Sequence, residues 1–209
     1  MSYGVEAAAP AANPTTGGLT GWSGVDNQIV VTNDTTVTQS SGFDYNYMYY
    51  DVSSLTGKGY FEWRADASYI GIGLSTSVNK DGSDNYYASA QTPELDIIGL
   101  NLPANGSLNY RRAGAAAALP DNYTGHGEIL FLEVDFDTGD YWIGASNGTD
   151  TARRYLSFDN RMYGTRPSTP TGNSASINYL WLGTYKADVY SYAEQAADYD
   201  LTPETGFGG

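Results

Sequence analysis

The chain contains no cysteine, one histidine and only three lysines among its 209 residues. Without cysteine, neither a disulfide nor a thiolate metal site can stabilise the fold, so a hydrophobic core has to suffice. A run of about 18 consecutive apolar residues, the length that spans a membrane, occurs nowhere in the sequence. Residues 1–18 also lack the basic start and the continuous apolar stretch of a secretory signal. We therefore expect no signal peptide and no membrane-spanning segment.

Positive charge and strong helix formers are both scarce. Ten Lys and Arg residues against 24 Asp and Glu residues give a net charge of −14, which repels phosphate backbones and anionic lipid. We therefore expect neither a nucleic-acid nor a membrane partner. Besides the three lysines there are only seven glutamates, whereas 25 glycines and 19 tyrosines favour strands joined by turns. This composition predicts an all-β protein, and 209 residues suffice for one sizeable β-domain.

Residues 1–18 are rich in Ala, Pro and Gly and have almost no periodic apolar pattern. Such a composition predicts an extended arm, followed by a single domain at residues 19–209. We expect the arm to become ordered only against a partner. Its removal should then leave the melting temperature nearly unchanged.

Alternation of apolar with polar residues or glycine marks the strands. Residues 60–64 and 69–74 show this pattern and predict a first hairpin. A second hairpin is predicted over Ile129–Gly144, with its turn at residues 137–140. Further strands are expected at residues 43–49 and 94–100, and one or two short strands at residues 19–38.

The apolar residues of the two hairpins are expected to meet in one core, between sheets about 10 Å apart. The predicted members of this core are Phe61, Trp63, Ile70, Ile72, Leu132, Val134, Phe136 and Trp142. Because side chains alternate along a strand, Glu133 is predicted to point to solvent. Replacing Glu133 by alanine should then cost less than about 0.5 kcal/mol.

Three blocks of sequence, in order between about residues 20 and 207, carry a family resemblance. SSLTGKGYFEWRADASYIGIGLS (residues 53–75) resembles the first core hairpin of SPRY-like, concanavalin-type β-sandwich domains of tailed-bacteriophage virion proteins. LEVDFDTGDYWIG (residues 132–144) resembles a later hairpin of that family. Residues 187–207, with Pro203, Gly206 and Phe207, resemble its closing strand and terminal P-x-GF. Residues 149–178 depart from the pattern, because they are longer than the usual loop.

The resemblance implies an antiparallel two-sheet β-sandwich of jelly-roll type with a non-catalytic role. The resemblance also implies a viral structural protein that is assembled in the host cytoplasm and carried on the virion. Its role there would be capsid decoration, tail fibre or lectin-like adhesin. The partners expected on this basis are other virion proteins, contacted through residues 1–18, a host-surface glycan or receptor, and further copies of the chain.

Tyrosines expected in loops are the candidate binding residues, because tyrosine combines a large apolar face with a hydroxyl that hydrogen-bonds sugars or proteins. Two neighbouring arginines join them, although in an acidic chain they could equally neutralise nearby aspartates. The candidates are Tyr86, Tyr87, Tyr110, Tyr123, Arg111 and Arg112.

The alternative function is hydrolysis of a polysaccharide. Laminarinase-like glycoside hydrolases share the concanavalin-type sandwich and set E-x-D-x-E on one strand, where three carboxylates share a face. Here the pattern is Glu133, Asp135 and Asp137, and the last side chain is shorter by about 1.5 Å. A retaining site needs carboxyl groups about 5 to 5.5 Å apart, so the proton donor would be misplaced. Residues 94–98 lack a third carboxylate altogether. The pattern favours a solvated acidic strand that runs into a turn.

Metal and triad chemistry find little support. Asp81–Asn85 and Asp135–Asp140 cluster oxygen atoms, but neither has the twelve-residue spacing of a calcium loop. Such residues more often form turns through bonds from side chain to backbone, so structural calcium is kept only as an alternative. His126 lies between glycines with no nucleophile marked nearby. We expect no catalytic residue and no cofactor.

Overall fold

The computed structural model describes the chain in segments. These are residues 14, 16–24, 29–33, 36–39, 45–65, 69–76, 94–101, 107–112, 115–117, 129–159, 161–185, 189–194 and 199–207. Within them the regular structure is sixteen strands and two short 3₁₀ turns, at Leu19–Gly21 and Asp150–Ala152. None of the described segments forms a helix long and apolar enough to cross a membrane.

The strands vary from two to eight residues. They are β1 (Ser23–Gly24), β2 (Ile29–Asn33), β3 (Thr36–Gln39), β4 (Tyr45–Asp51), β5 (Lys58–Ala65), β6 (Tyr69–Ser75), β7 (Glu94–Asn101), β8 (Ser107–Arg112), β9 (Ala115–Ala117), β10 (Ile129–Asp135), β11 (Asp140–Ser146), β12 (Arg154–Leu156), β13 (Met162–Tyr163), β14 (Gly172–Asn173), β15 (Tyr179–Tyr185) and β16 (Val189–Ala193).

Two antiparallel sheets pack as a sandwich, which confirms the predicted fold class. The seven-stranded sheet has the order β1-β4-β15-β6-β7-β8-β9. The nine-stranded sheet has the order β13-β12-β11-β10-β5-β16-β3-β2, and β14 pairs with β11. Neighbours such as β4 and β15 show that strands distant in sequence pair with each other within a sheet.

The predicted first hairpin is wrong, although both of its strands exist. β5 pairs with β10 and β16 in the nine-stranded sheet, whereas β6 pairs with β15 and β7 in the seven-stranded sheet. The chain therefore crosses from one sheet to the other between them. Alternation predicts a strand and its faces, but it does not identify the neighbour that takes its hydrogen bonds. The second hairpin is confirmed, since β10 and β11 pair from Ile129 with Ser146 to Asp135 with Asp140.

The main core lies between the sheets. Phe61, Trp63, Leu132 and Val134 come from the nine-stranded sheet, meet Ile72 of the seven-stranded sheet, and are all fully buried. Phe136 packs against this core, as predicted, but is only partly buried. Trp142 was predicted to join it, but lies on the opposite face of its sheet in a second cluster. Ile70 lies in β6, and its side chain is outside the described residues.

The turn between β10 and β11 is built as the sequence predicts. The carboxylate of Asp135 accepts the N–H groups of Asp137 and Thr138 at 3.1 and 3.2 Å. Gly139 has φ 77°, a conformation that favours glycine, and a Cβ there would collide with the carbonyl of Ser174. Asp137 therefore stands in a turn and not on the strand with Glu133.

The long region at residues 149–178 adds structure to the edge of the nine-stranded sheet. It contains β12, β13 and β14, which continue the sheet beyond β11. The hydroxyl of buried Thr171 donates to the carbonyl of Leu156 and accepts from the N–H of Ile143. These contacts fold the region back across the sheet edge.

Candidate functional site

The outer face of the nine-stranded sheet is buried, contrary to the sequence prediction. The residues covered there form what we call the outer-face cluster: Tyr60, Glu62, Ile129, Phe131, Glu133, Trp142, Arg153, Tyr155 and Arg166. Residues 199–207, the closing segment, lie over them and insert Leu201 and Phe207, which are 1% and 5% exposed. Three of these residues are charged and almost fully buried: Glu62, Glu133 and Arg153.

Glu133 is at the centre of this cluster and has no exposed surface. Its Oε1 accepts from the Tyr155 hydroxyl at 3.1 Å and from the N–H of Glu204 at 3.3 Å. Its Oε2 lies 2.9 Å from Nε of Arg166. That contact is an ion pair without hydrogen-bond alignment, because the N–H does not point at the oxygen. The prediction that Glu133 faces solvent is therefore wrong. Whether a strand face is exposed to solvent depends on the segments that cover it, and alternation alone does not show this.

Burial raises the pKa of the Glu133 carboxyl, and the nearby Arg166 charge opposes this rise. Arg166 itself is held between two aromatic rings. Its guanidinium carbon lies 3.5 Å from the ring centre of Trp142 and 4.5 Å from that of Phe207. Such stacking suits the flat, weakly hydrated guanidinium group. Arg166 therefore contacts Trp142 and Glu133 of the sheet and Phe207 of the closing segment, and so connects the two.

Arg153 is the buried cation of the cluster, at 6% exposure. It donates to the Tyr155 hydroxyl at 3.1 Å and to the carboxylate of Asp150 at 2.7 Å. Its guanidinium carbon lies 5.3 Å from the ring centre of Phe131. Its Nε has no hydrogen-bond partner within the described part of the chain.

The closing segment is held through its backbone as well as through its side chains. Its N–H donors to side-chain carboxylates are those of Asp200, Leu201, Thr202 and Glu204. Glu62 accepts the first two at 2.9 and 3.2 Å, Asp150 the third at 2.9 Å, and Glu133 the fourth at 3.3 Å. Three carboxylates on the sandwich therefore bind main-chain N–H groups of the closing segment between residues 200 and 204.

Glu62 repeats the chemistry of Glu133 on the neighbouring strand. It is 2% exposed and also accepts from the Tyr60 hydroxyl at 2.8 Å. Burial raises the pKa of its carboxyl, and the bonds from Asp200, Tyr60 and Leu201 oppose the rise. Both glutamate carboxylates are thus removed from water and accept hydrogen bonds from fixed donors of the protein instead.

Another buried carboxylate, Glu194, holds the other end of the described chain. It accepts the N–H of Thr16 at 2.5 Å, the Thr16 hydroxyl at 2.8 Å and the N–H of Gly18 at 2.7 Å. The same hydroxyl lies 3.1 Å from that of Tyr192 and accepts from the indole of Trp22 at 3.1 Å. Thr16 and Gly18 belong to the predicted arm. Contact with the sandwich thus begins by residue 16, and residues 1–13 lie outside the described residues.

The binding residues predicted from sequence stay a prediction, because the structure describes no side chain among them. Tyr86, Tyr87 and Tyr123 lie outside the described residues. The backbone of Tyr110, Arg111 and Arg112 lies in β8, so Tyr110 occupies a strand and not the loop that was predicted. The sequence from Ser107 to Arg112 is compatible with a strand as well as with a connecting loop.

The outer-face cluster was missed for a definable reason. Glu62 and Glu133 alternate with core residues in the way that solvent-facing residues do. Two signals were available in the sequence: Tyr60, Phe131 and Trp142 are large apolar residues on the supposedly wet face, and they need a cover. The ending Pro203-Glu204-Thr205-Gly206-Phe207 supplies part of it through Phe207.

No metal centre is found among the residues that the structure describes, where no three His, Asp or Glu side chains gather to bind one. In the turn Asp135–Asp140 the carboxylates have protein partners. Asp137 accepts the N–H of Gly57 at 2.9 Å, and Asp140 accepts the amide of Asn173 at 2.6 Å. The other calcium candidate, Asp81–Asn85, and His126 lie outside the described residues.

Comparison of the fold with solved structures finds two SPRY domains and stonustoxin. The SPRY domain of human HERC1 superposes with a TM-score of 0.50 at 10% identity, over 80% of this chain and 93% of that chain. The PSpry domain of TRIM65 gives a TM-score of 0.49 at 15% identity, over 82% and 88%. Stonustoxin gives 0.46 at 16% identity, over 80% of this chain and 27% of that chain. No family model and no curated protein sequence matches the chain. The protein therefore has the SPRY-type β-sandwich fold.

Proposed function

We propose that this protein is a non-catalytic structural or adhesive component of a tailed-phage virion. The observation that carries the non-catalytic part is the burial of Glu133, the residue that would be the nucleophile of a laminarinase-like site. It has no exposed surface and is enclosed by Tyr155, Arg166 and the backbone of Glu204. A sugar ring cannot reach that carboxylate while the closing segment is in place. The virion part rests on the three sequence blocks, two of which form β10–β11 and the closing segment.

Hydrolysis, the alternative, requires carboxylates on both sides of a substrate. Asp137 lies in the turn and bonds to Gly57, so Glu133 and Asp137 do not share a strand face. We expect no reducing-sugar release from β-glucans by the purified protein. Activity that is present in the wild type and absent in Glu133→Gln would overturn the non-catalytic part of the proposal.

Within the non-catalytic proposal, an adhesive role has one supporting observation. Phe158 and Tyr163 are large aromatic residues that are 58% and 40% exposed at the edge formed by β12 and β13. Arg161 lies between them in sequence, with its side chain 66% exposed. Exposed aromatic rings close in sequence to an exposed cation, here paired with Asp159 at 3.8 Å, suit contact with a sugar face or a protein surface. Reduced binding to host cells by Phe158→Ser, with an unchanged melting curve, would support adhesion over pure capsid decoration.

The virion assignment is tested by mass spectrometry of purified particles. We expect peptides of this chain to sediment with capsid and tail proteins and to remain after a high-salt wash. Recovery of the protein only from the soluble fraction of infected cells would overturn the assignment.

A further inference from the structure

The turn that follows β11 contains an asparagine directly before a glycine, Asn147 and Gly148. The side-chain amide of an asparagine can react with the backbone nitrogen of the next residue, because the chain holds the two groups close together. Glycine hinders this approach least, since it has no Cβ. Gly148 has φ 95°, a conformation that favours glycine, so the turn itself requires this residue at the reacting position.

The two nitrogen atoms that would react are not held by the described protein. No described residue accepts a hydrogen bond from the N–H of Gly148 or from the amide nitrogen of Asn147, whose side chain is exposed. The amide oxygen of Asn147 does have a partner, because the hydroxyl of Thr149 donates to it at 3.2 Å. The hydroxyl of Thr151 lies 3.3 Å from that of Thr149 and can donate to it in turn. A donor in this position stabilises negative charge that develops on the amide oxygen when its carbon is attacked.

Asn173 of β14 shows the opposite arrangement. Its amide nitrogen donates to the carbonyl of Thr138 at 3.1 Å and to the carboxylate of Asp140 at 2.6 Å. The N–H of the next residue, Ser174, donates to the carbonyl of Gly139 at 3.0 Å. Both asparagine side chains are exposed, so exposure does not distinguish the two positions. The hydrogen bonds do, because at the second position they have to break before the same reaction can occur.

We propose that Asn147 is a site of spontaneous deamidation in the folded protein, assisted by the hydroxyl of Thr149. The backbone nitrogen of Gly148 loses its proton to hydroxide and bonds to Cγ of Asn147. The amide nitrogen takes up a proton from water and leaves as ammonia, which closes a succinimide ring. Water then adds to one of the two ring carbonyls and opens the ring to aspartate or isoaspartate. The sum is asparagine and water giving a carboxylate and ammonium, with no other reactant.

The modification changes the chain close to Asp150. That residue accepts from Arg153 at 2.7 Å, and from the N–H and the hydroxyl of Thr202 at 2.9 and 2.8 Å. Either product adds one negative charge to a chain whose net charge is already −14. Isoaspartate also adds a methylene group to the main chain at position 147. Deamidation therefore alters the turn that carries a carboxylate of the closing segment's binding site.

The test uses the full-length protein with Ser174→Gly, in which Asn173 is also followed by glycine. The protein is kept in mildly alkaline buffer, either native or unfolded in guanidinium chloride, and mass spectrometry of its peptides follows both asparagines. In the unfolded chain the two should convert at similar rates. In the native protein we expect Asn147 to convert within several-fold of its unfolded rate. Asn173 should convert about tenfold more slowly than when unfolded, or slower still, because its hydrogen bonds have to break.

Strong suppression of both asparagines in the native protein would overturn the proposal. If Ser174→Gly does not fold, the ratio of native to unfolded rates at Asn147 of the wild type decides in the same way. The variant Thr149→Val tests the assistance, since valine keeps the shape and removes the hydroxyl. It should slow native conversion of Asn147 several-fold and leave the unfolded rate unchanged. An unchanged native rate would show that Thr149 gives no assistance.

Discussion

The two faces of the nine-stranded sheet are both buried, but by different chemistry. The inner face packs Phe61, Trp63, Leu132 and Val134 against the other sheet, with little need for polar partners. The outer face buries Glu133 and other charged groups, and each of these groups requires donors or an opposite charge. The inner face is therefore defined by shape, whereas the outer face is defined by hydrogen bonds. Substitutions can separate the two kinds of stabilisation.

The largest effect is expected from the inner face. Trp63 is fully buried among Trp22, Tyr192 and Phe61, with ring centres 5.3 to 6.4 Å away. Replacing it by alanine should lower the free energy of unfolding by about 3 to 5 kcal/mol, because the cavity cannot close fully. Urea melts measure this. A loss below that of an exposed control, Phe158→Ala, would contradict the core assignment.

Glu133→Ala should come next, at about 2 to 4 kcal/mol. The substitution leaves Arg166 without its carboxylate and removes acceptors from Tyr155 and the backbone of Glu204. This expectation replaces the loss below about 0.5 kcal/mol that a solvent-facing side chain would give. Urea melts of Glu133→Gln provide the matched control, because the amide keeps one acceptor and the shape. An equal loss in both variants would show that charge contributes nothing.

Truncation of the N-terminal residues measures how much the contacts with Glu194 stabilise the fold, for comparison with the outer face. Deleting residues 1–18 takes three donor bonds from buried Glu194 and should cost about 1 to 3 kcal/mol. Deleting residues 1–13 keeps Thr16 and Gly18 and should change stability by less than about 0.5 kcal/mol. Thermal melts of the two truncations test the difference. Identical melting temperatures would mean that the contacts at Thr16 and Gly18 contribute no stability.

Arg153→Met should have a small effect, under about 1 kcal/mol in either direction. Methionine keeps much of the packing on Phe131 and removes a buried charge whose Nε lacks a partner. Replacing a whole buried ion pair by apolar groups is often neutral or stabilising, and the partner left here, Asp150, is 49% exposed and keeps its bonds to Thr202, so it is not a buried unpaired charge. The variant is compared with Arg153→Ala, which also loses the packing. A loss as large as that of Glu133→Ala would show that the Arg153 charge is required.

The smallest effect is a change of stability with pH. In the folded protein, burial raises the pKa of Glu62 above its ordinary value of 4.5. Its protonation therefore contributes stability that is present below about pH 4.5 and is lost as the pH rises through the folded pKa. The free energy of unfolding of the wild type, relative to Glu62→Gln, should decrease between pH 4.5 and pH 7.5. Urea melts at constant ionic strength measure it, and an increase would mean that the backbone donors outweigh desolvation.

The sequence was sufficient for the fold class because alternation and turn chemistry are local. Phe61 and Trp63 identify a face, and Asp137-Thr138-Gly139-Asp140 identifies a turn, without knowledge of distant residues. The pairing of β5 with β10 and β16 depends on closure of the whole sheet, which no local pattern encodes. The burial of Glu133 is likewise non-local, since it depends on residues some 70 positions further along the chain.

The capture of backbone N–H groups by carboxylates has a consequence for sequence variation. Glu62, Asp150 and Glu133 bind backbone atoms that every residue except proline carries, so this part of the binding does not depend on which side chains stand at positions 200, 202 and 204. The one position between 200 and 204 whose nitrogen donates no bond is occupied by Pro203. Proline should be tolerated there and excluded at its four neighbours, which gives related chains a simple rule for keeping this ending.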